Sequence, residues 1–501
     1  MEKIPEFYGK GARLKESAAQ ELIDSAYEHD CEDADLLLPW LHYADLAHVV
    51  MLTEEGVIPS DSAKVLLTGL LNQLDIPLEE FPIRKDLGDV YNSKDANLKQ
   101  LIGGESGWLH AGRARREAVN ISYLLQVKIS LLDLSSAVIE LAETFIDVAN
   151  KNRDTLLPDQ TYLQHAHPTN LAHYILTYFY GLLRDIERLE HIIDRYDLSP
   201  AGSGSVNGSR LPLNRKRLAE LLGFEGVIPH TRDAMWQTDL PIECASMLST
   251  LTTNLSRFAE EMQVWMTLEY SYLDLPDSLS RASVIMPQKK NPYGLAYFRG
   301  LTSTIIGLLA SYPALGKVMS GNPDSRIFIY GSLPRAIHKT TKAIDLLKII
   351  ISTAQFNKQK MREALDQGFS QMTDIADYLI LEEKIDYRSA HQIVGKVTAN
   401  LVDSGKCGRD VNIEDIKDAA NTLDLKLNTL TDEKLKELIK FENIVNSRTS
   451  EGGASRSNLD EMLDNGKTII QNRQKLFKHK KEQMEASMEK LKTTSINKIK
   501  D

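Results

Sequence analysis

The stretch from Val119 to Val148 constrains the fold of this chain more than any other. Its apolar residues include Ile121, Leu124, Leu125, Ile129, Leu132, Val138, Leu141, Phe145 and Val148, and no proline or glycine interrupts them. Apolar residues recurring three and four positions apart form a broad stripe on a helix, because a helix turns once every ~3.6 residues. Asn170–Tyr196 and Leu240–Leu273 repeat the pattern, as does Tyr297–Tyr312, which Pro313 closes. Runs that alternate valine, isoleucine or threonine with polar residues and end in hairpin turns are hard to find. The chain reads as all-α, built on long central helices.

A chain of 501 residues is too long for one ordinary core. Gly103-Gly104-Glu105-Ser106-Gly107 precedes the first long helix, Ala201–Ser209 is rich in serine and glycine, and Leu275–Pro292 is a further interruption. Beyond about residue 365 the expected helices become shorter and more polar. These breaks suggest an N-terminal helical domain at 1–112, a central bundle at 113–365 and a C-terminal helical domain at 366–501. The last thirty residues are rich in lysine and glutamate and read as a solvated helix.

Composition narrows the classes of function. A 42% hydrophobic and 26% charged chain is that of a globular protein. No stretch approaches the run of about 18 apolar residues that a membrane span needs. The opening residues Met-Glu-Lys-Ile-Pro-Glu-Phe lack the layout of a secretory signal, so the cytoplasm is the expected compartment. Cys31, Cys244 and Cys407 lie far apart, without metal-ligand spacing and in odd number, so neither a metal site nor a disulfide framework is expected. A net charge of −11 disfavours nucleic acid as a partner, while an anionic small molecule would need local positive charge in a cleft.

One segment stands out chemically: Ser280-Arg281-Ala282-Ser283-Val284-Ile285-Met286-Pro287-Gln288-Lys289-Lys290-Asn291-Pro292. Its two prolines exclude a regular helix interior or strand. Set between long apolar helices, such a loop could hold a serine, a cation and an amide over a cleft. It could equally be a surface connection whose lysines are merely solvated.

The segment resembles the signature of the fumarase/aspartase superfamily, Gly-Ser-Ser-x-Met-Pro-x-Lys-x-Asn-Pro, in its argininosuccinate lyase form. Ser283 takes the place of that family's catalytic serine, and Lys289 and Asn291 take substrate-contacting positions; Ala282 and Val284 depart from it. Further matches run along the chain in order. His110-Ala111-Gly112-Arg113-Ala114-Arg115-Arg116-Glu117 resembles His-Thr-Gly-Arg-Ser-Arg-Asn-Asp, and Thr161–Pro168 resembles Thr-His-Leu-Gln-x-Ala-Gln-Pro. Gly202-Ser203-Gly204 with Arg215–Phe224 resembles the family's Gly-Ser-Gly segment and the helix after it. Ala376–Leu379, Ala390–Lys396 and Val445–Arg448 with Gly452-Gly453 resemble the argininosuccinate lyase branch.

The resemblance implies a three-domain, all-α fold with a central long-helix bundle, and a homotetramer whose active sites are each built from three chains. It implies anti elimination of a C–N bond β to a carboxylate, with release of fumarate, as in arginine biosynthesis. The substrate would be a small succinate-type molecule, with no cofactor, nucleic acid or membrane involved. Ser283 would remove the proton, with Lys289 stabilising its alkoxide and the developing dianion. Arg115, Thr161, Gln164 and Asn291 would orient the substrate's carboxylates, a task for which a guanidinium fork is suited. For Arg113, Arg115 and Arg116 the alternative is a solvated helix face.

The departures cluster on the other half of the reaction. The family's histidine after the threonine is Tyr162, and its supporting glutamate is Ala296. The family's substrate-contacting asparagine is Arg116, and its Tyr-Asn-x-Asp-Leu-Gln-x-x-Lys segment gives way to Gly321–Phe328, which contains Arg326. Ser25 falls near a family binding serine, but the spacing around it differs. Tyr162 is then a candidate proton donor, since a phenol with a pKa of about 10 is a poor base at neutral pH; His165 and His167 are alternatives. Arg116 and Arg326 join the candidate substrate-binding residues. These departures point to retained proton abstraction with an altered leaving-group side, so the expected substrate is argininosuccinate or a related N-substituted aspartate. A lyase for another succinyl compound and a catalytically inactive relative remain as alternatives.

Overall fold

Helices form wherever the apolar stripe is long, and the computed structural model describes them over residues 16–500. The opening residues from which a secretory leader was discounted lie outside the described residues. After short helical turns over residues 20–31 come three longer helices, α1 (Ala34–Glu54), α2 (Ser60–Leu74) and α3 (Val90–Ile102). The bundle follows, with α4 (Arg115–Lys151), α5 (Leu171–Tyr196), α6 (Asp239–Trp265), α7 (Tyr293–Gly316) and α8 (Ser332–Thr353). Shorter helices fill residues 358–446, and α9 (Arg456–Lys500) ends the chain.

The stripe read at Val119–Val148 is α4, a helix of 37 residues. It packs against α1, α5, α8 and α9, so it is buried on nearly every side. Helix α5 begins where Asn170 caps it, the side chain accepting from the His173 amide at 2.7 Å. The stripe expected to reach Leu273 ends at Trp265, where a turn follows and Ser271 takes a left-handed φ of 52°. Pro313 does not close α7, which continues to Gly316. A proline this near a helix end forfeits one hydrogen bond in a turn already losing its partners.

Two cores result. The larger joins α1 and α2, the bundle and α9, through residues such as Leu41, Leu66, Val138, Phe179, Leu248, Leu459 and Phe477. The smaller gathers Ile375, Leu379, Ile393, Ile416 and Leu435. The last thirty residues are therefore not a solvated tail. Phe477, Met484, Met488 and Leu491 are buried on α9. Their lysine neighbours pair with acids of other elements, as Lys481 does with Asp133 at 2.7 Å and Lys480 with Asp194 at 3.1 Å. An apolar position every third or fourth residue suffices to bury one face of a helix that looks polar in composition.

Among the described residues helix α1 alone combines the length and apolarity of a membrane span, yet 72% of that window is buried within the fold. It carries His42, Asp45 and His48 inward, and Asp45 pairs with the buried Lys94 and Arg113. Burial alone would raise the Asp45 carboxyl, but the two cations outweigh it and hold it at about 2.

The fold is all-α as expected, and strand among the described residues is confined to short two-stranded pairings, the longest of them a hairpin that sequence patterning did not find. Leu156–Thr161 (β1) and Gln164–Asn170 (β2) form an antiparallel hairpin. Its turn residues Tyr162 and Leu163 have φ of 55° and 58°, the mirror-image turn that suits a two-residue hairpin. The usual Asn-Gly signal is absent, which is why sequence patterning missed it.

Candidate active site

The serine segment leaves α6 through a 3₁₀ turn at Asp277–Leu279 and enters α7 at Tyr293. Its base is a two-pair antiparallel ladder, Arg281 opposite Asn291 and Ala282 opposite Lys290. The prolines therefore do not exclude all strand, because Lys290 and Asn291 fit between them. The Asn291 side-chain amide donates to the Arg281 carbonyl at 2.8 Å, and the Arg281 guanidinium lies 4.8 Å from the centre of the Tyr293 ring. Lys290 is spent on the base, bound to Asp274 at 3.0 Å and Asp277 at 3.1 Å.

Ser283–Lys289 is then a tip held at both ends. The Ser283 hydroxyl accepts from the Met286 amide at 3.2 Å. Lys289 is exposed, its amide bonded to the Met286 carbonyl at 3.0 Å. Val284 and Ile285 stand wholly or almost wholly in solvent. Apolar side chains at a loop tip are what a loop needs if it closes over a cleft.

At the hairpin tip, Thr161 and Gln164 are register partners and both are exposed. Tyr162 between them is 98% exposed and has nothing of its own chain against it. His165 packs over Gly368, so close that a Cβ there would meet its Nδ1 at 2.9 Å. Desolvation lowers the His165 pKa.

The arginine run splits three ways at the start of α4. Arg113 is neither solvated nor in a cleft, but buried against Asp45. Arg115 pairs with Asp89 at 2.9 Å, and Arg116 lines a small cavity with Asp30, Asp33, Asp89 and Tyr330. Arg326, in the short helix Asp324–Ile327, is buried at 3% exposure. Ser25 spends its hydroxyl on the Glu21 carbonyl at 2.6 Å.

Glu117 is a residue that motif reading passed over. It is fully buried, and its two oxygens accept the Gly202 and Gly204 amides at 2.6 and 2.7 Å. A Cβ on Gly204 would meet the Gly208 carbonyl oxygen at 2.5 Å, so only glycine fits this turn. An acidic residue ending one motif and two glycines in another was the available signal.

These groups do not meet within one chain. Arg115 and Arg116 begin α4, whose 37 residues span roughly 55 Å, and the hairpin follows its far end. The segment leading to the serine loop shares that far end, since the Tyr270 hydroxyl donates to Gln160 at 3.5 Å. Ala296 lies on α7 in a groove of about 730 Å³ shared with Tyr293, Tyr297, Phe328 and Lys339. Among the described residues no three histidine, cysteine or acidic side chains converge so as to hold a metal ion.

A helical bundle with a serine loop between two of its long members places the chain in the class of fumarase/aspartase-type lyases. A lyase family model matches residues 49–307, and an argininosuccinate lyase C-terminal model matches residues 369–446. The argininosuccinate lyase of Methanosarcina acetivorans is 32% identical, over 85% of this chain and 86% of its own. That of Methanothrix thermoacetophila is 30% identical, over 96% of this chain and 97% of its own. An EDDS lyase variant with bound fumarate superposes with a TM-score of 0.86 at 25% identity, covering 99% of each chain. The chain belongs to the argininosuccinate lyase family and is a carbon–nitrogen lyase of that kind. The family acts on small succinate-type substrates.

Proposed function

We propose that the enzyme eliminates an amine from an N-substituted aspartate and releases fumarate, at sites shared between copies in a homotetramer in the cytoplasm. The observation that carries this is the form of the serine loop. A ladder fixes its base, Lys290 is consumed there, and Ser283, Lys289 and the apolar tip are left to act. The EDDS lyase structure that the fold matches so fully holds fumarate, which favours the same product here.

In this reading Ser283 takes the proton from the carbon next to the substrate's carboxylate. That carboxylate becomes an aci-dianion, and Lys289 with loop amides stabilises it, as fixed donors aimed at developing charge do. Asn291, Thr161, Gln164 and Arg115 orient the carboxylates, and Arg116 and Arg326 contact the rest of the substrate. The C–N bond then breaks, its electrons leaving with the nitrogen. Tyr162 delivers the proton that the departing amine needs. Its near-total exposure on a hairpin tip suits a side chain that completes a neighbour's site.

Sharing of sites rests on distance. The arginines and the hairpin stand at opposite ends of α4, so only copies packed side by side could join them. Tyr293, Tyr297, Ile306 and Leu309 leave an apolar face exposed on α7, as an interface between copies would.

The test is fumarate absorbance in the ultraviolet, with argininosuccinate, adenylosuccinate, aspartate and a panel of N-substituted aspartates. Fumarate from at least one N-substituted aspartate is expected. None from any of them would overturn the reading.

A further inference from the structure

We propose that Gly368 is a positioning residue for the elimination, acting through the His165 ring to fix where the hairpin presents Thr161, Tyr162 and Gln164. This rests on the proposal above that those three residues serve the site.

The hairpin is an arm pinned along most of its length. Ahead of β1, Arg153 pairs with Asp460 at 2.6 Å and Asp154 with Arg456 at 2.8 Å. At the end of β2, the Asn170 side-chain amide donates to the Ala454 carbonyl at 2.9 Å. Leu156 seats on Leu365, Phe441 and Ile444, which come from the helices Lys358–Gln367 and Phe441–Asn446. Past these anchors the arm runs out into water, and Thr161, Tyr162, Leu163 and Gln164 are all exposed. The aim of the tip is therefore set by the last support beneath it.

That support lies at the Gln160–His165 pair, one register step below Thr161–Gln164. On the Gln160 side the Tyr270 hydroxyl donates at 3.5 Å, the outer limit of a hydrogen bond, which leaves slack. On the other side the His165 ring lies against Gly368, where an added Cβ would stand 2.9 Å from Nδ1. A ring resting on backbone is stopped by hard contact, so Gly368 fixes the pair more firmly than Tyr270 does.

Gly368 is glycine for space, not for backbone conformation. Its φ of −92° and ψ of −165° are extended and open to any residue. It ends the helix Lys358–Gln367, its amide bonded to the Ala364 and Leu365 carbonyls at 3.1 and 3.2 Å. Its carbonyl accepts the Gly408 amide at 3.0 Å, and a Cβ on Gly408 would stand 2.6 Å from that oxygen. Held from both sides, Gly368 is a fixed stop for the ring. Desolvation lowers the His165 pKa, so the imidazole is neutral at neutral pH, which suits packing better than proton delivery.

The test uses the full-length enzyme and the N-substituted aspartate of the panel above that releases fumarate fastest. Gly368→Ala must push the ring, and with it the Thr161–Gln164 pair. It should lower kcat/KM about tenfold, since misplacing reacting groups by about 1 Å costs on the order of a hundredfold. Amide exchange at residues 160–165 should quicken while that of α4 stays unchanged. In a His165→Ala background the same substitution should cost nothing, because no ring is left to push. His165→Ala alone should lose severalfold in kcat/KM. His165→Asn, which keeps an atom where Nδ1 lies but has no proton to titrate, should recover most of that loss. Wild-type kcat/KM in Gly368→Ala, unchanged exchange at the tip, or a loss that persists without the ring would overturn the inference and leave the lyase reading intact. A loss in His165→Asn as large as in His165→Ala would also overturn it, by making the ring's chemistry the cause. If Gly368→Ala fails to fold by circular dichroism, the two His165 variants decide. Fumarate from none of the panel would overturn the lyase reading and this inference with it.

Discussion

At the residue scale, two buried carboxylates, Glu117 and Asp45, tie the start of α4 to its neighbours. Glu117 fixes where the glycine segment lies against the start of α4, and both its oxygens are used. Glu117→Gln keeps one acceptor and places a donor against an amide, so it should cost about 1.5–3 kcal/mol in urea unfolding. Asp45 makes a pH prediction. Its carboxyl sits at about 2 in the fold, below its ordinary value in the unfolded chain, so folding favours the ionised form. The stabilisation is fully present above about pH 4 and is lost as pH falls through about 2. Asp45→Asn should be less stable at neutral pH by roughly 3–5 kcal/mol, because Lys94 and Arg113 are left buried and unmatched. Its stability should also change less between pH 4 and 2 than that of the wild type, as followed by denaturant midpoint. For the chemistry itself, Ser283→Ala should reduce turnover by about a thousandfold or more while leaving the helical circular dichroism unchanged. Full activity in that variant would refute the serine as base.

At the scale of elements, what could be read in advance followed physical rules of unequal reach. The helix at 115–151 was legible because an apolar stripe without proline or glycine has one folded outcome. The serine loop was legible through its motif, but its ladder was not, since two residues between prolines leave no periodic pattern. The hairpin escaped for a related reason: Tyr162 and Leu163 occupy left-handed conformations that patterning reserves for glycine or asparagine. That conformation costs roughly 1–2 kcal/mol per residue, and it is tolerated where Tyr162 is thrust into solvent. Leu163→Asn should relieve part of the cost and raise hairpin stability by about 0.5–1 kcal/mol, seen as slower amide exchange in β1 and β2. Arg326 was legible only as a lone charge, because its short helix matches no family segment. Helix α9 was misjudged through composition, which averages a buried stripe with the lysines flanking it. Phe477→Ala should therefore cost about 3–5 kcal/mol in guanidinium unfolding, a core penalty that a solvated helix would not incur.

Across the whole molecule, separation is the governing fact. With the arginines at one end of α4 and the hairpin at the other, the site proposed above would be incomplete in an isolated chain. Light scattering should find a tetramer, and dilution to monomer should abolish activity without unfolding the helices. Co-refolding Ser283→Ala with Arg115→Ala should restore turnover that neither has alone, because some sites would draw both intact residues from different copies. Failure of the mixture to exceed its components would place every site within one chain.

The return of α9 to α4 and to the first two helices also has a consequence for how the molecule comes into being. Leu459, Leu463, Ile470, Phe477, Met484 and Leu491 complete a core begun by residues hundreds of positions earlier. During synthesis the matching surfaces of α1, α2 and α4 emerge long before the segment that covers them. They stay uncovered until α9 is made, and contacts so distant in sequence form slowly. Chains cut short within α9 should therefore accumulate as aggregates or as clients of chaperones.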